Sequence, residues 1–224
     1  NTAYGWNALD AVTTGDKNVC IGYQAGTAVT TGADSVYIGT QAGAAIDEED
    51  NNIAIGTSAL SGSVNGGEKN VAIGNSVLDA LTTGDDNVSI GHISGGALTT
   101  ASKCTLIGVQ AGTAITTGGD NIAIGYGAMD GFDTEVHNLG IGRSALGGSV
   151  AGGEYNVAIG NSSLDALTTA DNMVAIGYNA GTAITTGNKS VFIGYAAGAG
   201  VTTGSDSIFI GHEAGDGYDA ETDN

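Results

Sequence analysis

Proline is absent from the 224 residues, aromatics make up only 5%, and five basic residues stand against 24 acidic ones. Without proline, the 40 glycines cannot be those of a collagen-like chain, which needs both in a three-residue period. The scarcity of rings fits a thin core of small aliphatic side chains. A net charge of -19 opposes binding to nucleic acid or anionic lipid. No apolar run approaches the roughly 18 residues of a membrane span, and no basic leader precedes an apolar stretch. The chain opens on Asn1 rather than Met, which reads as a processed or excised segment with its targeting information upstream. Cysteine is scarce as well. Cys20 and Cys104 lie five repeats apart, which at about 4.8 Å per coil is roughly 24 Å and beyond disulfide reach.

What the chain has is one pentapeptide, Asn/Ser-Val/Ile-x-Ile-Gly, written thirteen times. The closing glycines are Gly5, Gly22, Gly39, Gly56, Gly74, Gly91, Gly108, Gly125, Gly142, Gly160, Gly177, Gly194 and Gly211, so ten steps are 17 residues and two are 18. A fixed period of this length is the mark of a solenoid, whose coils bury their apolar faces only by stacking. The 41% hydrophobic content, regularly placed, argues against disorder. The expected fold is all-β: a single continuous parallel β-solenoid over residues 1–224, with about thirteen 17-residue coils.

With the closing glycine as position zero, position -1 is Ile in twelve coils and position -3 is mostly Val or Ile. Two apolar columns at period two predict a strand with one buried face, and these columns are expected to form the core. By the same alternation Tyr37, Phe192 and Phe209 at position -2 are expected to point outward. A second short strand is expected after the glycine, with a small residue at +3 and Val, Leu or Ile at +7, closing in Thr-Thr-Gly. A longer repeat lies over the short one: residues 57–91 match 143–177 at an offset of 86. Acidic turns (Asp47 to Asp50; Asp133 and Glu135; Asp219, Glu221 and Asp223) replace Thr-Thr-Gly once per longer block.

The terminal residues Glu221-Thr222-Asp223-Asn224 resemble Glu48-Glu49-Asp50-Asn51, which run into the next pentapeptide. Joining one tail to another head restores the register with an 18-residue step, and neither end carries a polar cap. The expectation is head-to-tail assembly through Asn1, Thr2, Tyr4, Ile208, Ile210, Asp223 and Asn224, each protomer adding roughly 60 Å, or else a slice of a longer shaft.

The pentapeptides Asn70-Val71-Ala72-Ile73-Gly74 and Asn156-Val157-Ala158-Ile159-Gly160 resemble the Asn/Ser-Val-Ala-Ile-Gly repeats in the heads of trimeric autotransporter adhesins. Similar repeats occur in phage tail-fibre shafts. The resemblance covers all thirteen coils. It implies a left-handed parallel β-roll and an elongated, surface-exposed structural or adhesive protein, with no family catalytic residue to transfer.

Function must then be sought in columns. Asn1, Asn18, Asn52, Asn70, Asn87, Asn121, Asn138 and Asn156 at position -4 are expected to stack and pin the register through their side-chain amides. At position +1, Trp6, Tyr23, Tyr126, Tyr178 and Tyr195 along an exposed edge suit glycan stacking or lateral contact with another protomer. Paired threonines such as Thr82-Thr83 point to opposite sides of a strand, so turn chemistry accounts for them better than ice binding. Calcium β-rolls need tandem Gly-Gly-x-Gly-x-Asp nonapeptides, absent here, and the acidic turns are expected to attract cations loosely. His92, His137 and His212 lack metal-ligand spacing, and neither a nucleophile elbow nor a phosphate loop is present. No catalytic, metal or cofactor site is expected. The sequence points to a self-assembling structural or adhesive fibre, extracellular or at the cell surface, with itself and cell-surface glycans as partners. The alternatives are a phage tail-fibre shaft or receptor-binding segment on a virion and, more weakly, an ice- or calcium-binding solenoid.

Overall fold

The structure is a computed structural model that describes residues 1–149 and 151–217. It is all-β, a parallel β-solenoid, and divides into two units, Asn1–Gln110 and Ala111–Asn224. The first holds β1 (Thr2–Tyr4), β2 (Val19–Ile21), β3 (Val36–Ile38), β4 (Ile53–Ile55), β5 (Val71–Ile73), β6 (Val88–Ile90) and β7 (Thr105–Ile107). The second holds β8 (Ile122–Ile124), β9 (Leu139–Ile141), β10 (Val157–Ile159), β11 (Val174–Ile176), β12 (Val191–Ile193) and β13 (Ile208–Ile210). Within each unit, strands consecutive in sequence pair in parallel. Equivalent positions face each other, as in Val36↔Ile53 and Ile38↔Ile55. The two 18-residue steps leave this register intact, because Ile53 pairs Val71 and Leu139 pairs Val157. Each extra residue is therefore absorbed in a turn. Among the described residues no helix is long and apolar enough to cross a membrane.

The strands bury the opposite face from the one their pattern suggests. In β3, β4, β5 and β10 the central residue at position -2 is buried while its two neighbours are only half covered. Tyr37 and Phe192, expected outside, are fully buried. Phe209 is half-buried and stacks on Phe192 with ring centroids 5.8 Å apart. The Val and Ile columns at -3 and -1, expected to be the core, lie on the outer face, where Ile21 and Ile176 are each 37% exposed. The physical reason is room. The lumen is closed on its other side by residues at +3, +4 and +7, so the strand can send in only what that wall leaves space for. The outer face has no such limit and accepts a uniform β-branched ladder.

Among the described residues each coil contains one strand, not the two expected. After the closing glycine the backbone becomes left-handed at +2 and again at +4, as at Gln24 (φ 54°) and Gly26 (φ 57°). This breaks the pleat, so amides point alternately up and down the axis. Gln24 N–H donates to Trp6 O in the preceding coil (2.8 Å), and Gly26 N–H donates to Ala42 O in the following one (2.9 Å). The closing glycine is needed for close approach. A Cβ on Gly74, whose φ is 133°, would strike the carbonyl oxygen of Gly91.

The lumen is filled by exchange between -2 and +4. Where the strand supplies a bulky residue, +4 is glycine: Tyr37 with Gly43, Leu106 with Gly112, Phe192 with Gly198. Where it supplies Ala or Gly, +4 is often large: Ala54 with Leu60, Ala72 with Leu78, Gly140 with Leu146, Ala158 with Leu164. A Cβ at Gly43 would lie 2.7 Å from Cε1 of Tyr37. Coils small at both places borrow volume from neighbours, as Gly95 does from Leu78 and Leu106. Interiors tolerate neither voids nor overpacking, and this exchange keeps the filling constant from coil to coil.

Candidate functional surfaces

The asparagine column is buried from Asn18 onward and bonds mainly to backbone. Each Oδ1 accepts the N–H of the -4 residue in the next coil: Asn18 from Ser35 (3.0 Å), Asn52 from Asn70 (2.9 Å), Asn87 from Cys104 (2.9 Å). Each Nδ2 donates to a turn carbonyl of that coil, as Asn18 does to Gly32 O (2.7 Å) and Asn156 to Ala170 O (2.9 Å). In the second unit Asn138 N–H donates to Asn121 Oδ1, and Asn156 N–H to Asn138 Oδ1, both at 2.9 Å. A side-chain-to-side-chain rung occurs between Asn87 and Asn70 (3.0 Å). Asparagine suits the column because one side chain supplies both acceptor and donor where strand meets turn. Serine at Ser35 and Ser190 still accepts from the next coil, at 3.1 Å in each case. Asn1 begins the column, exposed, accepting from Asn18 N–H (2.8 Å).

Two glutamates in the acidic turns are buried and hold the coils that carry the extra residue. Glu49 accepts the N–H groups of Asp47 (3.0 Å) and Glu48 (3.2 Å), and through its other oxygen that of Gly66 (2.8 Å). Glu135 does the same with Asp133 (2.8 Å), Thr134 (3.1 Å) and Gly152 (2.9 Å). Bonding to three amides makes each a structural anchor. The recess beside Glu49, about 400 Å³ and lined by Ala45, Asp47, Glu48, Ser63, Val64 and Asn65, is open to solvent. Among the described residues no three His, Cys, Asp or Glu side chains are grouped to hold a metal ion.

Position +1 forms an exposed edge. Tyr178, Tyr195 and His212 stack in succession with centroids 5.4 and 5.0 Å apart. Arg143 lies 6.0 Å over the Tyr126 ring. Trp6 and Tyr23 are exposed without a described ring partner. Of the residues expected at an assembly junction, Thr2 and Tyr4 lie in β1, exposed throughout, and Ile208 and Ile210 in β13 are 61% and 66% exposed. Asp223 and Asn224 lie outside the described residues. The first threonine of several pairs serves the turn, Thr82 Oγ1 donating to Thr99 O and Thr168 Oγ1 to Thr185 O, each at 2.9 Å. Cys20 and Cys104 are buried thiols that form no disulfide among the described residues, and burial pushes the Cys20 thiol up to about 11.

Burial raises the pKa of Asp79 and of Asp165, both at position +5 and half-buried. A carboxyl raised in this way binds its proton more tightly folded than unfolded. Its stabilising contribution is therefore present in acid and is lost as pH rises through the folded pKa. Asp165→Asn is expected to raise the melting temperature at pH 7 by a degree or two, roughly, with the gain shrinking toward zero below about pH 4. Paired thermal scans at the two pH values check this; a gain that grows in acid contradicts it.

Fold and surfaces together define a parallel β-solenoid repeat protein with a polar ladder inside and an aromatic edge outside. No family model matches the chain, and neither a curated protein nor a solved structure matches it significantly. The surface that sequence reasoning missed is the outer apolar face. Its signal was the variability of position -2, where Cys, Tyr, Ala, Ser, Leu, Gly and Phe alternate as only a size-matched lumen requires.

Proposed function

We propose that the chain is a non-catalytic structural or adhesive fibre segment, extracellular or at a cell surface, that lengthens by stacking further coils on its open edges. The observation that carries this reading is the repetition of one coil-to-coil bond set, strand pairing plus Asn Oδ1, from coil to coil along each unit. Among the described residues β1 pairs with β2 and β13 with β12, and the -3 and -1 side chains of both are exposed. An edge with unpaired amides and an apolar column accepts another coil of the same repeat, from a second molecule or from further chain. The stacked Tyr178–Tyr195–His212 edge supports an adhesive role, since aromatic rings in a row suit the apolar faces of sugars. A phage tail-fibre shaft is the second reading, favoured by the uncovered outer sheet face, which a shaft of several chains would shield.

Electron microscopy of the purified chain tests the first reading. Filaments are expected, and Ile210→Lys, which places a charge on the exposed edge strand, is expected to shorten or abolish them. A discrete particle that never elongates at high concentration overturns growth by this chain itself.

A further inference from the structure

We infer that Asn65–Gly66 is a self-modification site, at which Glu49 is the general base that closes the Asn65 side chain onto the Gly66 nitrogen. The inference does not depend on fibre growth. Asn65 is the one asparagine of the chain that precedes a glycine. Both residues are exposed, in a turn of the 18-residue coil that ends at Gly74. The turn explains the glycine but not the asparagine. Gly66 has φ 110° and Gly152, its equivalent in the longer repeat, φ 119°, a region that side chains rarely adopt. The place of Asn65 is taken there by Ala151, with the same backbone bond: Asn65 N–H donates to Thr82 O (2.6 Å), and Ala151 N–H to Thr168 O (2.7 Å).

What surrounds the Gly66 nitrogen supplies the chemistry. Gly66 N–H donates to Glu49 Oε1 at 2.8 Å, within the roughly 2.6–3.2 Å reach of a base for the proton it removes. Glu49 is buried, and its other oxygen accepts from Asp47 and Glu48, so Oε1 is held on Gly66. A Cβ built on Gly66 would meet no atom within 4 Å, so the approach to the nitrogen is open. The amide carbon of Asn65 belongs to the adjoining residue, which makes the attack intramolecular. Glu49 takes the proton from Gly66 N as the nitrogen bonds to Asn65 Cγ. The Cγ–Nδ2 bond then breaks, the proton passes to Nδ2, and ammonia departs to leave a cyclic imide. Water from the solvent-open recess that Glu49 and Asn65 line adds to either imide carbonyl and breaks its bond to the Gly66 nitrogen. The products at position 65 are aspartate and, with the main chain rerouted through Cγ, isoaspartate. Either is acidic, in a turn that already holds Asp47, Glu48 and Glu49, so each event is a one-way step that adds like charge to this coil.

Incubating the intact chain at neutral pH, folded and in denaturant, and following position 65 by peptide mass mapping tests this. Conversion is expected to run at least about tenfold faster in the folded chain than in the unfolded one, where Glu49 no longer lies beside Gly66. Glu49→Gln keeps a hydrogen-bond acceptor but no base, and is expected to remove that advantage. Ala151→Asn sets an asparagine before Gly152, whose N–H donates to Glu135 Oε1 at 2.9 Å, and is expected to create a second site that converts at a similar folded-state rate. A folded chain that converts no faster than the unfolded one overturns the inference, as does a folded-state rate indifferent to Glu49→Gln. If Glu49→Gln does not fold, Ala151→Asn decides, and conversion at position 151 no faster folded than unfolded overturns the inference.

Discussion

Ala158→Asp is expected to unfold the sheet around β10, while Ile159→Asp, one residue further on, leaves it folded. Ala158 is buried in the lumen, between Gly140 and Ala175 in the paired strands and with Leu164 across the coil. A carboxylate placed there has no polar partner, so it costs several kcal/mol, on the order of a small domain's whole stability. Ile159 is only half covered and faces outward, so its aspartate keeps its water and the loss is on the order of 1 kcal/mol of apolar contact. Thermal unfolding of the two variants reads the difference. Equal destabilisation, or the reverse order, contradicts the assignment of faces.

Gly43→Leu is the second large effect. The new side chain enters a space already filled by Tyr37, at a left-handed position (φ 59°), and the expected loss is roughly 2–4 kcal/mol from overpacking and backbone strain. Tyr37→Ala alone leaves a cavity and costs about 3–5 kcal/mol. The pair together, Tyr37→Ala with Gly43→Leu, recreates the arrangement of Ala54 with Leu60, where Leu60 accepts a left-handed φ of 50°. The double variant is expected to recover at least 1–2 kcal/mol relative to the sum of the single losses. Additive losses in denaturant titrations would mean that -2 and +4 do not share the lumen.

Much of this architecture was legible in the sequence. The thirteen glycines fixed the period, and the strands lie at the pentapeptides. The parity of the strand was not legible by regularity alone. The most uniform apolar columns, Ile at -1 and Val or Ile at -3, suggested a core, because uniform hydrophobicity usually marks burial. In a narrow coil the logic reverses. The lumen is a packing problem solved coil by coil, so its residues vary in compensating pairs, while an outer face obeying a single steric rule stays uniform. The pairs Tyr37 with Gly43 and Ala72 with Leu78 carry this signal in the sequence itself. The second segment was misread for a related reason. Alternating small and large residues resemble a strand, but the left-handed +2 and +4 positions, occupied by Gln24, Ser58 and Leu60 as well as glycine, carry no clear sequence mark. The buried glutamates were equally hard to see, since Glu49 differs from its exposed neighbour Glu48 only in which amides it reaches.

The thiol of Cys20 tests the assignment of faces most directly, because it occupies position -2 of β2 without any engineering. In a Cys104→Ser background, serine being a natural occupant of that column at Ser35 and Ser190, the chain carries a single thiol. Burial of Cys20 predicts that a maleimide labels almost none of it in the folded protein, and that labelling begins only as denaturant unfolds the coil. Rapid, complete labelling under native conditions would show position -2 pointing outward and would contradict the account.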